Sequence, residues 1–210
     1  MNLSDLRRDF GKMGERELFR PQSPYKLITQ WLKEAIEMNI PEANAMVLST
    51  VGKNGNPSSR VVLLKEFSEE DGFVFYTDYQ SRKGRELAEN DRAALHFFWR
   101  NLERQILIEG RVKKLSREKS VNYFNSRPLL SRASATVSKQ SSPIKNLDSL
   151  LEQRDRLLQQ AQDIQCPERW GGYSLKAGYF EFWQGGQNRL HKRIAYRFVK
   201  GKWLKTYLAP

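Results

Sequence analysis

The chain has 210 residues, of which 39% are hydrophobic, with a single cysteine and a formal net charge of +12. That apolar fraction supports a packed core and argues against wholesale disorder, and no apolar run reaches the roughly 20 residues of a membrane-spanning helix. The lone Cys166 excludes an internal disulfide framework and fits a reducing, cytoplasmic setting, and the opening MNLSDLRRDF lacks the apolar stretch of a secretory signal. A strong positive charge first suggests nucleic acid. Here, however, Arg and Lys are spread along the chain, often singly within apolar strands, which favours small anionic ligands.

Residues 1–22 are polar and cationic and read as a mobile arm, and residues 23–210 read as one domain. The spacing of Leu27, Ile28, Trp31, Leu32, Ala35 and Ile36 predicts an amphipathic helix over 25–38. Period-two strands follow at 45–51 and 58–65, joined by a hairpin at Asn54-Gly55, and a third at 72–78. A short helix is predicted over 81–90 with Ser81 as N-cap, then strands in RAALHFFW and RQILIEGRVKKL. Residues 116–127 predict a helix stopped by Pro128, and residues 147–164 a longer one with Leu147, Leu150, Leu151, Leu157, Leu158 and Ala161 inward. The tail returns to strands in YFEFWQ, RIAYRFV and KWLKTYL, the last two turning at Lys200-Gly201. Hairpin-linked strands with helices inserted predict a mainly β, α+β class: an antiparallel barrel with helical additions.

Two histidines and one cysteine make a zinc site improbable, so no metal is expected. His96 reads as a satisfied sheet histidine and Cys166 as an idle thiol. There is no G-x-G-x-x-G after a strand and no P-loop, so a phosphate-bearing ligand must be held by side chains. Four cationic clusters qualify. RVVLLK (60–65) places Arg60, Val62 and Leu64 on one strand face and Val61, Leu63 and Lys65 on the other. In YTDYQSRKG, Arg82 and Lys83 open a helix, where a bound anion would relieve their opposition to the helix dipole. In YFNSRPLLS, Tyr123, Arg127 and Ser131 offer phenol, guanidinium and hydroxyl donors. In RLHKR, a strand reading puts Arg189, His191 and Arg193 on one face and Lys192 on the other, beside Trp183 and the Gly185-Gly186 pair, a context suited to a flat ring.

Taken together, FEFWQGGQNRLHKR, RVVLLK, FYT followed by SRK, LERQ, YFNSRP, VSKQSS and the terminal LAP resemble, in order and spacing, the pyridoxine (pyridoxamine) 5′-phosphate oxidase family. The resemblance runs from about Leu6 to Pro210. It implies an antiparallel FMN-binding split β-barrel and a homodimer with the flavin at the subunit interface, with no nucleic-acid or membrane partner. It also implies oxidation of pyridoxine 5′-phosphate or pyridoxamine 5′-phosphate to pyridoxal 5′-phosphate, by hydride transfer from C4′ to flavin N5 and reoxidation by O2 to give H2O2. Carried over residue by residue, the flavin contacts are Arg60, Val61, Val62, Leu63, Leu64, Lys65, Tyr76, Thr77, Arg82, Lys83, Gln105, Gln140, Ser141, Trp183 and Arg193. The substrate phosphate falls to Lys65, Tyr123, Arg127 and Ser131, the pyridine ring to Arg189 and His191 as catalytic residues, and a closing arm to Arg7. Three positions depart from the family pattern: Lys192 replaces an acidic or amide residue, Phe10 an aromatic hydroxyl, and RASATV a glycine-containing run.

Overall fold

The computed structural model describes residues 10, 21–160 and 163–210. The elements in chain order are α1 (Pro24–Glu37), β1 (Ala45–Val51), β2 (Pro57–Leu63), β3 (Glu66–Ser68), β4 (Gly72–Asp78), α2 (Arg82–Glu89), β5 (Arg92–Trp99), β6 (Arg104–Lys114), α3 (Arg117–Ser126), α4 (Leu129–Val137), α5 (Leu147–Gln160), β7 (Trp170–Gln184), β8 (Lys192–Val199) and β9 (Lys202–Leu208). Among the described residues two compact units interleave in sequence: residues 10, 21–48, 94–110 and 177–210 form the first, and residues 49–93, 111–160 and 163–176 the second.

In the first unit, hydrogen bonding orders the strands β1-β5-β6-β7-β8-β9. β8 pairs antiparallel with β7, Trp183 opposite Arg193, and with β9, Ala195 opposite Thr206. The β8–β9 turn places Lys200 and Gly201 at φ 47° and 80°, the left-handed pair that a tight hairpin needs. α1 buries Leu27, Ile28, Trp31 and Ala35. Trp31 meets Phe182 edge-on at 5.3 Å. Ile36 is 59% exposed, because the apolar stripe predicted for this helix outlasts the surface available to cover it. The fully buried Arg104 donates to Glu34 at 2.7 Å and Gln184 at 2.9 Å and lies 4.5 Å over Trp31.

In the second unit, β4 pairs antiparallel with the first half of β7, Thr77 opposite Gly171, and with the short β3, Phe67 opposite Phe73. Ser81 caps α2 as predicted, its Oγ accepting from the Gly84 N–H at 3.3 Å. α4 was not expected; Arg169 makes it possible by donating to the Ala135, Thr136 and Ser138 carbonyls at its end. The leucine face predicted for α5 is only partly used. Leu157 and Leu158 pack against Phe124, Ala133, Ile164, Cys166 and Trp170, whereas Leu147 is 61% exposed; Ala161 lies outside the described residues.

Candidate active site

The larger cavity, about 610 Å³, lies within the second unit. Its rim carries Val61, Val62 and Leu63 of β2, and Lys65 just beyond it, at a ligand-sized space. At one part of the wall, α2 buries Lys83. Its ammonium donates to Gln140 Oε1 at 2.6 Å and Thr77 Oγ1 at 3.1 Å, both neutral acceptors. Burial, then the charge of Arg60, pulls the Lys83 pKa down to about 8. An arriving anion relieves both penalties.

At another part of the wall are Tyr76, Tyr123, Arg127 and Trp170. Tyr76 stacks on Tyr123 with centroids 3.9 Å apart and on Trp170 at 5.5 Å. Burial pushes the Tyr76 phenol up to about 12, so it stays neutral. The Arg127 guanidinium lies 4.9 Å from the Trp170 ring and 5.8 Å from Phe124, and Lys65 Nζ is 5.9 Å from the Tyr123 ring. Arg127 Nη1 is buried without a hydrogen-bond partner. A buried unsatisfied donor of this kind is costly unless a ligand accepts from it. α4 adds Ser131, Ser134 and Ser138 to the same wall. Sequence reasoning missed several lining residues, among them Trp170 and Arg154. Trp170 opens a strand whose first half carries a glycine pair, and Arg154 lies on a helix for which the sequence offers only its leucine face.

Four predicted flavin contacts of this unit are not on the cavity wall. Arg60 points to Thr50 at 2.5 Å, to Ser58, and to Glu86 at 3.2 Å, and Arg82 meets Glu86 at 2.8 Å. Burial alone would raise the Glu86 pKa, but hydrogen bonds from Ser58, Thr50, Arg82 and Arg60 outweigh it and hold the carboxyl at about 2. Leu64 is buried in the core, and Ser141 is exposed with φ 67°.

A second cavity, about 270 Å³, lies within the first unit and is lined by His96, Gln105, Glu181, Trp183 and Arg193 among others. His96 Nε2 and Gln105 Oε1 are 3.0 Å apart. Arg193 is tied to Glu181 at 2.9 and 2.7 Å and to the Ala209 carbonyl at 2.8 Å. His191 lies beside Trp183, ring centroids 4.7 Å apart, and its Nδ1 accepts from the Gly186 N–H at 3.1 Å. Burial, then Arg189, lowers its pKa, leaving a neutral ring with the proton on Nε2.

Strand alternation over Arg189, His191 and Arg193 holds only from His191 onward. His191 and Arg193 are half-buried and Lys192 is exposed, but Arg189 sits in a 3-10 turn, Gln187–Arg189, with φ 62° after Asn188 at 50°. A chain reversal ahead of β8 replaces the predicted strand and leaves Arg189 exposed. The space over Gly185 is taken by the chain itself: an added Cβ would lie 2.8 Å from Phe10 Cβ and 3.0 Å from Glu103 Cβ. Phe10 also meets Trp183 edge-on at 5.5 Å and His191 at 5.7 Å. Arg7 lies outside the described residues.

Comparison with known proteins agrees along the whole chain. The family model described as pyridoxamine 5′-phosphate oxidase matches residues 32–156, and that of the pyridoxine 5′-phosphate oxidase C-terminal dimerisation region matches residues 170–210. The pyridoxine/pyridoxamine 5′-phosphate oxidase of Herminiimonas arsenicoxydans is 46% identical over 212 residues, covering 100% of both chains. That of Pseudomonas syringae pv. tomato is 46% identical over 99% of this chain and 98% of its own. Among solved structures, PhzG from Burkholderia lata in complex with tetrahydrophenazine-1-carboxylic acid superposes with a TM-score of 0.88 at 30% identity, over 94% of this chain and 98% of that one. A pyridoxamine 5′-phosphate oxidase-related, FMN-binding protein from Nostoc punctiforme shares the fold, with a TM-score of 0.74 at 15% identity over 90% and 98%. The mainly antiparallel fold with inserted helices is therefore the split-barrel class that the sequence predicts, and the chain belongs to the pyridoxine/pyridoxamine 5′-phosphate oxidase family.

Proposed function

We propose that this chain is an FMN-dependent oxidase that converts pyridoxine 5′-phosphate or pyridoxamine 5′-phosphate to pyridoxal 5′-phosphate. The observation that carries the reading is the larger cavity, whose cations Lys83 and Arg127 are partnered by neutral amide, hydroxyl and aromatic groups and so remain available to phosphates. The wall fits FMN. Lys83, Thr77 and Gln140 suit its phosphate, and the exposed Val61 and Leu63 suit a flat apolar ring. When bound, FMN supplies the acceptor for a hydride from the substrate C4′ carbon and a route for the electrons to O2, with H2O2 as the by-product.

The protein's own part is placement. Arg127 and Lys65 hold the substrate phosphate, with Tyr123 and Ser131 as hydroxyl donors. His191 presents Nε2–H to an oxygen of the pyridine ring, its tautomer fixed by the Gly186 N–H. Gln105, Trp183 and Arg193 belong to the second cavity. A homodimer lets one copy contribute these to the flavin held by the other. The match to a dimerisation region over 170–210 supports this, as do the exposed Phe198, Leu204 and Tyr207 on β8 and β9.

The test is the purified protein itself. It should be yellow, release FMN rather than FAD on denaturation, sediment as a dimer, and form H2O2 and pyridoxal 5′-phosphate from pyridoxamine 5′-phosphate. A colourless protein that FMN cannot reconstitute refutes the reading.

A further inference from the structure

We infer that Arg154 of α5 is a substrate-phosphate ligand, so that one phosphate is held from two sides, by Arg127 and by Arg154. The inference rests on the functional reading above for the identity of the phosphate. The cavity wall carries four cationic side chains, Lys65, Lys83, Arg127 and Arg154, against one carboxylate, Asp78. Asp78 is already paired with Arg169, 3.1 Å from its Nε. Lys83 is engaged by Gln140 and Thr77. Arg127, by contrast, has a buried N–H with nothing to donate to. Arg154 shares the wall with it, together with Ser131 and Ser134 of α4.

The present partner of Arg154 is weak. Its Nε and Nη2 lie 2.8 and 2.7 Å from Asp155 Oδ1, but Asp155 is the next residue on the helix and its side chain is 54% exposed. Adjacent residues diverge on a helix, and a pair half in water contributes little. The Arg154 side chain is only 23% exposed, so a phosphate inside the cavity meets a better shielded guanidinium than the carboxylate outside does. A dianion competes for that guanidinium with bidentate geometry available. The RASATV segment contributes to the same wall: within α4 it supplies the short side chains of Ser134 and Ala135.

The experiment measures equilibrium binding of pyridoxal 5′-phosphate and of unphosphorylated pyridoxal to the FMN-loaded protein and its variants. Arg154→Gln should weaken pyridoxal 5′-phosphate about tenfold, the loss of one charge-assisted contact, and leave pyridoxal unchanged. In turnover the loss should fall on KM. Arg154→Lys should recover part of it, and Asp155→Asn, which frees the guanidinium, should tighten binding. Arg156→Gln, a 65% exposed arginine on the same helix, is the control and should match wild type. Wild-type affinity for pyridoxal 5′-phosphate in Arg154→Gln overturns the inference, as does equal weakening of both ligands or a loss of FMN affinity instead. If wild type turns over neither vitamer while Arg154→Gln still weakens pyridoxal 5′-phosphate alone, the oxidase reading fails and the phosphate contact stands.

Discussion

The two cavities treat their cations differently. In the smaller one, Arg193 is clasped by Glu181, and in the second unit Arg60 is likewise clasped by Glu86, away from the cavity wall. In the larger cavity, Lys83 and Arg127 are held in place by Gln140, Thr77, Trp170 and Phe124, none of which carries charge. A carboxylate fixes an arginine and cancels its charge; an amide or a ring fixes a cation and leaves the charge unspent. On the reading proposed above, the Arg60–Glu86 pair serves the fold, whereas the charges of Lys83 and Arg127 are left for ligands.

The sharpest way to break that contrast is at Glu86. Its carboxylate takes hydrogen bonds from Thr50 at 2.5 Å and Ser58 at 2.6 Å as well as both arginines. Glu86→Ala removes the carboxylate that Arg60 and Arg82 meet and should destabilise the fold by about 3 kcal/mol, read as a lowered Tm with FMN present and absent. The pH dependence has a defined sign. The folded pKa, about 2, lies below the ordinary value of 4.5, so this stability is fully present above about 4.5 and is lost as pH falls toward 2. A variant as stable as wild type contradicts a shaping role.

Next in size is Arg127→Ala. Removing a charge-assisted contact should lower kcat/KM by about ten- to a hundredfold, equivalent to about 1.5–3 kcal/mol, with flavin content unchanged. Loss of FMN instead would reassign this arginine to the other phosphate.

A smaller effect follows from Lys83. With its pKa near 8 in the ligand-free protein, it is charged at neutral pH and loses its proton above that value. A bound phosphate stabilises the charged form, so FMN affinity should fall above pH 8, by at most about tenfold per pH unit. The folded pKa is depressed, so the folding cost of the charged lysine is present below pH 8 and is relieved between 8 and 10.5. Flavin fluorescence titrations from pH 6 to 10 would show the decline, and Lys83→Met should flatten it. The smallest effect is expected at the exposed Lys192, where Lys192→Asp should leave anaerobic flavin reduction nearly unchanged. A large slowing there would mean that β8 presents its other face to the ligand.

Much of this was legible in the sequence because it is local. Asn54-Gly55 and Lys200-Gly201 announce their hairpins, Ser81 announces α2, and period two announces β1, β5 and β6. What escaped depends on residues distant in sequence. α4 holds Ser, Thr and Val, poor helix formers, and is finished by Arg169 more than thirty residues on. The first half of β7 hides behind Gly171-Gly172, glycines required because the Tyr79 hydroxyl and the Leu115 and Tyr76 side chains lie against their backbone. Arg60 alternates correctly along β2, yet no pattern within that strand reveals Glu86 on α2 as its partner. At Arg189, two left-handed residues break the alternation, and neither is a glycine that would have warned of it.

The most direct measurement mixes the FMN-loaded protein anaerobically with pyridoxamine 5′-phosphate and, separately, with pyridoxamine at matched subsaturating concentrations, and follows bleaching of the flavin band. Cations left uncancelled in the larger cavity should make bleaching with the phosphorylated amine at least about a hundredfold faster, two such contacts each contributing about tenfold. Equal rates with the two amines, or no bleaching with either, would contradict it.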